Sequence, residues 1–271
     1  MKRILGALLS LALLAVPLHA DGIQNPGATL TAGQLPGTTT NDNACAGCVG
    51  QILTSDCPGI TTTATVTITI ATPAIVTWTS PPFHNTAINQ DNCPIVFTTT
   101  GALPTGITSG TTYWVIASSI SGNTFQIATS VPNALAGTAV ATSGTQSGVQ
   151  TATASATTAS ATAKSIGGLT IPAGDWEISA LCMQYPNAST TSSQFVCNLS
   201  QTDNTLNVTP SDNMAIAIIG AAMSAGSQNF LPTNTGRFSF ATPTNVFAVV
   251  QSTFAVNTMN AAAMIHARRA R

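Results

Sequence analysis

Apolar and polar positions alternate with a period of two along much of this chain. Thr65-Val66-Thr67-Ile68-Thr69-Ile70 alternates strictly, as a strand with one buried face does. Residues 74–79, following Pro73, and residues 93–99, 112–117 and 124–128 continue the pattern. Ser80-Pro81-Pro82, residues 101–110 and Ser121-Gly122-Asn123 interrupt it with turn chemistry. Short strands so spaced predict a small β-sandwich or barrel-like module over residues 64–150. Residues 143–165 are low in complexity and hold no large apolar residue beyond Val149. Residues 151–165 therefore read as a linker, or as an edge strand that pairs only in context. Over residues 166–271 the β signature returns. Leu169-Thr170-Ile171 leads into a Pro172-Ala173-Gly174 turn and a strand from Asp175, and Phe195, Cys197 and Leu199 share one face of the next. Residues 214–223 are apolar enough for burial on both sides, and residues 237–240, 244–255 and 261–268 supply further strands. About eight strands over this length predict a jelly-roll-like β-sandwich. The fold class is all-β.

The first 20 residues depart from this pattern. Lys2 and Arg3 precede an apolar run over residues 4–18, and Leu18-His19-Ala20 ends on a small residue. This layout predicts a secretory signal peptide, or else a retained hydrophobic N-terminal helix. Residues 21–63, rich in Gly, Thr, Asn and Pro, read as an extended attachment arm with one Cys-rich turn.

Composition sharpens the picture. Hydrophobic residues make up 44% of the 271 residues, enough for a core, while only 6% are charged. An ordinary globular domain carries about 25% charge, so Thr, Ser, Asn and Gln must form this surface. Disorder usually combines low hydrophobicity with high net charge, and the net charge here is −1. After Lys2 and Arg3, the cations are Lys164, Arg237, Arg268, Arg269 and Arg271. No basic stripe exists to neutralise a phosphate backbone, which argues against nucleic acid as a partner.

Six cysteines, Cys45, Cys48, Cys57, Cys93, Cys182 and Cys197, follow the apolar start. An even number in an exported chain predicts disulfides. Cys182 and Cys197, on neighbouring strands, form the first expected pair. Cys57 or Cys93 joined to Cys45 or Cys48 is the next expectation. Cys45-Ala46-Gly47-Cys48 has a metal-site gap, but no second paired motif completes a zinc site. Catalytic chemistry is not legible. His84 and His266 are the imidazoles beyond His19, each without an evident partner, and Glu177 is the lone glutamate. Asp175 and Glu177 share a strand face, but a glycosidase pair needs a second well-placed acid. No catalytic residue, cofactor or metal is expected. Trp78, Tyr113 and Trp114 are candidates for a glycan-stacking platform, weighed against the commoner role of strand aromatics in cores. Asn187, Asn198 and Asn207 begin glycosylation-type triplets that a Thr- and Ser-rich chain produces by chance.

Several stretches carry a resemblance. Ile171-Pro172-Ala173-Gly174-Asp175-Trp176-Glu177-Ile178-Ser179, Gly236-Arg237-Phe238-Ser239-Phe240 and Met264-Ile265-His266-Ala267-Arg268-Arg269-Ala270-Arg271 resemble the terminal domain of bacteriophage virion and tail structural proteins. That domain is jelly-roll-like, of the tumour-necrosis-factor-like kind. Upstream, residues 33–44, Ala46-Gly47 and Val49-Gly50 resemble the segment that often precedes it. The module at 64–150 is similar to a recurring phage β module through Val76-Thr77-Trp78, residues 97–106 and 111–116, Asn123-Thr124-Phe125 and residues 144–148. The resemblance implies a surface-exposed, non-enzymatic virion protein, such as a tail fibre, receptor-binding tip or head decoration. It implies a homotrimer that contacts other virion proteins through its arm and possible host-surface glycans. A secretory signal is unusual in such a protein, and favours the alternative of a secreted bacterial surface adhesin built from phage-like modules.

Overall fold

A computed structural model describes residues 44, 46–57, 59, 62–187, 190–209, 211, 214–220, 226–256 and 258–271. The expected signal segment, most of the arm, and Cys45 lie outside the described residues. Among those described, no helix is long and apolar enough to cross a membrane, which says nothing of β-barrels.

The regular structure among the described residues is almost entirely antiparallel sheet, as the alternation predicts. Its first strand, β1 (Ile52–Asp56), falls within the stretch expected to be an extended arm. A module follows, with β2 (Thr63–Ile68), β3 (Val76–Thr77), β4 (Pro94–Thr99) and β5 (Thr112–Val115). After a single 3-10 turn come β6 (Thr124–Phe125), β7 (Ile127–Ala128), the short helix α1 (Val131–Leu135) and β8 (Gln150–Thr153). These strands form one sheet in the order β6-β3-β2-β8-β4-β5-β7. Because β6 and β7 are separated only by Gln126, the two ends of the sheet meet, and it nearly closes into a barrel. Inside lie Val66, Ile68, Val76, Ile95, Phe97, Phe125 and Ile127, the inward members of the alternating runs.

The remaining strands are β9 (Ala156–Thr158), β10 (Lys164–Ile171), β11 (Gly174–Pro186), β12 (Thr191–Ser200), β13 (Ile216–Ile219), β14 (Asn229–Pro232), β15 (Gly236–Phe240), β16 (Thr244–Ala255) and β17 (Met259–Arg269). One sheet runs β1-β17-β11, with β14 and β15 sharing the far edge of β11 end to end and β9 extending the edge beside β1. The other runs β10-β16-β12-β13. That order is a jelly roll, two Greek keys folded into a sandwich. Its first strand is β1 and its second is β10, so the barrel module is inserted between them. Residues 151–165, expected as a linker, contain most of β8 and all of β9. Their small side chains conceal strands whose partners are distant: Ala156 pairs with Ala261.

The sandwich core holds Trp176, Ile178, Phe195, Leu199, Phe238 and Ile265, all buried. Burial on both faces occurs in β16, whereas β13, within the run 214–223 where it was expected, is only partly buried. Val246, Ala248 and Val250 face the sandwich core, while Phe247 and Val249 face the module. There they meet Trp114, Ile116, Val131 and Ala134, forming a third core along the seam. By contrast β13 is a sheet edge, and its Ile218 is 58% exposed.

The stretches that resemble the terminal domain meet at one end of the sandwich. Trp176 is fully buried and its indole N–H donates to the Pro172 carbonyl at 2.9 Å. The Arg269 guanidinium lies 4.5 Å from the Trp176 ring centroid and donates to the Ala173 carbonyl at 2.8 Å. Gly174, at φ +132°, leaves room for that guanidinium. Arg271 and Arg237 reach the Asp175 carboxylate at 2.7 and 3.4 Å. The Gly50 amide donates to the Arg269 carbonyl at 2.9 Å.

Candidate functional site

Successive side chains on a strand point to opposite faces, and on β5 this separates two neighbouring aromatics. Tyr113 points into the barrel, where its hydroxyl accepts from the Thr108 amide at 2.9 Å and donates to the Gly106 carbonyl at 3.3 Å. Trp78 is also barrel core, edge-on to Phe83 with ring centroids 5.7 Å apart. Neither can offer a ring face to a glycan. Trp114 points the other way, into the seam between barrel and sandwich.

At that seam lies a cavity of about 510 Å³. Four segments wall it: Trp114 of β5, residues 129–131 at the start of α1, residues 157–164 running from β9 into β10, and Asp203-Asn204 of the β12–β13 loop. Each segment is held by hydrogen bonds outside the cavity. Ser130 caps α1 by accepting from the Asn133 amide at 3.2 Å, and Thr129 Oγ1 accepts from Asn133 Nδ2 at 2.9 Å. Asn204 exchanges bonds of 2.9 Å with the Ser165 amide and hydroxyl, locking the loop against β10.

Lys164 spans the junction. Its ammonium donates to Thr112 Oγ1 of the barrel at 2.9 Å and to the Thr157 carbonyl at 2.7 Å, and lies 5.7 Å from the Trp114 ring centroid. Both acceptors are neutral, and burial outweighs them, pushing the amine down to about 8. Two polar atoms of residues that line it, Trp114 Nε1 and Asp203 Oδ1, have no hydrogen-bond partner among the described residues. Lys164, Asp203 and Asn204 were not legible as site residues, because no motif joins them: the β12–β13 loop folds back onto β10, and the inserted barrel adds Trp114 and residues 129–131 as the opposite wall.

His84, expected to lack a partner, has one. Its Nδ1 lies 2.9 Å from Asp91, whose carboxylate is fully buried and also accepts the backbone amides of Asp56 and His84, each at 2.7 Å. Burial raises the Asp91 pKa, against those hydrogen bonds. No serine, threonine or cysteine hydrogen-bonds the ring among the described residues, so the pair anchors a loop to β1. His266 lies exposed on β17, beside a groove that Asp56 also lines. Asp175 is held below the usual carboxylate range by the Ser239 hydroxyl first, then by Arg271 and Arg237. Asn198 is fully buried, donating to the Asn207 and Ala215 carbonyls, which removes it as a glycosylation acceptor. No cluster of three or more metal-ligating side chains occurs among the described residues.

Cys182 and Cys197 form a disulfide, as expected, joining β11 of one sheet to β12 of the other. Cys57 and Cys93 pair with each other rather than with Cys45 or Cys48. The reason is topological: β1 runs beside the barrel, placing the two α-carbons 5.2 Å apart. Cys48 is disulfide-bonded too.

No protein-family model matches the chain. No curated protein matches it either. Among solved structures it is similar to a chain in the structure of infectious bursal disease virus, Gx strain, at 10% identity and a TM-score of 0.29. The aligned part covers 42% of this chain and 30% of the viral one, a likeness too slight to inform fold or role.

Proposed function

We propose that this chain is a surface-exposed structural protein of a bacteriophage or prophage particle, acting by oligomeric display and host-surface binding and without chemistry of its own. One observation carries the reading. The three stretches that resemble the terminal domain of phage virion proteins lie apart in sequence yet interlock around Trp176, Arg269 and Asp175. That they form one folded element supports reading their likeness together. Two sheet edges unpaired among the described residues support oligomeric display: β13 exposes Ile218 by 58% and β14 exposes Phe230 by 54%. Large apolar residues on unpaired edges are usually covered by a partner. A homotrimer is the assembly we assign, with the N-terminal arm contacting other virion proteins.

The disulfides favour a second reading, a secreted bacterial surface adhesin, because such bonds persist in oxidising compartments. Mass spectrometry of purified particles separates the two. The chain is expected as a stoichiometric virion component. Its absence from complete particles, together with recovery from the cell surface, would overturn the first reading in favour of the second.

A further inference from the structure

We infer that the cavity at the seam between barrel and sandwich binds a neutral pyranose ring, held between Trp114, Lys164 and Asp203. Its size lies within the roughly 300–1,000 Å³ typical of small-molecule sites, which occur preferentially where folded units meet. The lining chemistry selects the ligand. Val131, Ala159, Ala163 and Trp114 make apolar wall, while Thr129, Ser130, Thr157 and Asn204 interleave polar groups. Two charges of opposite sign face the same space, Lys164 and Asp203. An anion gains at the first and is repelled by the second; a cation meets the reverse. A neutral polyol avoids both penalties, since each hydroxyl can donate to a carboxylate and accept from an ammonium or indole N–H. The ring's C–H face suits the apolar wall.

Unsatisfied polar atoms point to the same conclusion. Trp114 is only 7% exposed, yet among the described residues its Nε1 has no acceptor and Asp203 Oδ1 has no donor. Buried polar groups normally find partners, and each orphan costs about 1–3 kcal/mol. A hydroxylated ligand, admitted by a small movement of the wall, supplies an acceptor and a donor together.

The inference rests on the host-surface reading for its biological purpose, but its test does not. Amide shifts of Thr129, Ser130, Ala163 and Asn204 are followed by nuclear magnetic resonance while methyl pyranosides of glucose, galactose, mannose, N-acetylglucosamine and N-acetylgalactosamine are titrated in turn. At least one is expected to move these amides in a saturable way. Asp203→Asn, which keeps shape but loses charge, is expected to weaken that sugar roughly tenfold, the effect of losing one charge-assisted hydrogen bond. Ala159→Leu fills the cavity and is expected to abolish binding, with circular dichroism and disulfide content unchanged. The inference is overturned if no sugar moves these amides, if the shifts cluster elsewhere, or if Ala159→Leu binds normally. Recovery of the chain in virions alongside any of those results would leave the structural role standing and remove only the site.

Discussion

Lys164 shows how one residue can serve packing while keeping an unusual charge. Its folded pKa, about 8, lies below the ordinary lysine value of 10.5. Between these two values the unfolded chain holds more protons than the folded one, so stability rises with pH across that window. Below it both states are protonated, and the cost of burying the charge is fully present. Lys164→Met should remove this slope: the urea midpoint of the parent protein, measured relative to the variant, should climb from about pH 8 towards pH 10.5. A constant difference would show that the amine is solvated. Residue-scale function was the least legible part of the sequence. Trp78, Tyr113 and Trp114 look alike as strand aromatics, and only the pleat and the position of the seam separate two core residues from one cavity wall. Asp91 gave no signal at all, since nothing local distinguishes a buried carboxylate that receives backbone amides from a loop residue in water.

Among the elements, legibility followed the alternation. The strand expected over residues 244–255 is β16 as observed, and those at 237–240 and 93–99 lie within a residue or so of β15 and β4. Segments whose buried face consists of alanine, threonine and glutamine, such as β8 and β9, carry too little hydrophobic contrast to tell a strand from a linker. The apolar run 214–223 was misleading for the opposite reason: double burial was expected there, but among the described residues its strand β13 is a sheet edge. Gly168 on β10 illustrates how elements are joined. A Cβ there would lie 2.6 Å from Val131 Cγ1 of α1 and 3.3 Å from Phe247. The missing side chain lets the barrel's helix rest on the sandwich. Gly168→Val is expected to cost about 1–3 kcal/mol by overpacking. Adding Val131→Ala should recover part of that loss, because the two sites are in contact. Denaturant titration of both single variants and the double variant measures the coupling; strict additivity would place the helix elsewhere.

At the scale of the whole molecule, the free edges of β13 and β14 demand the clearest experiment. If they join copies of the chain, analytical ultracentrifugation should find a trimer, and Ile218→Asp with Phe230→Asp should yield a folded monomer. A parent protein that sediments as a monomer at all concentrations would sink the display mechanism.

The insertion between β1 and β10 also sets an order of events in time. Ile52 pairs with Arg268, so the first strand of the sandwich waits for almost the last residues of the chain before its ladder can form. Loops of that length close slowly, and contacts so distant in sequence retard folding. A ribosome delivers the barrel complete long before β17 emerges. The Cys57–Cys93 bridge ties the residue following β1 to that early-finished barrel. The inserted module thus acts as a jig, holding the opening strand in position until the closing one arrives.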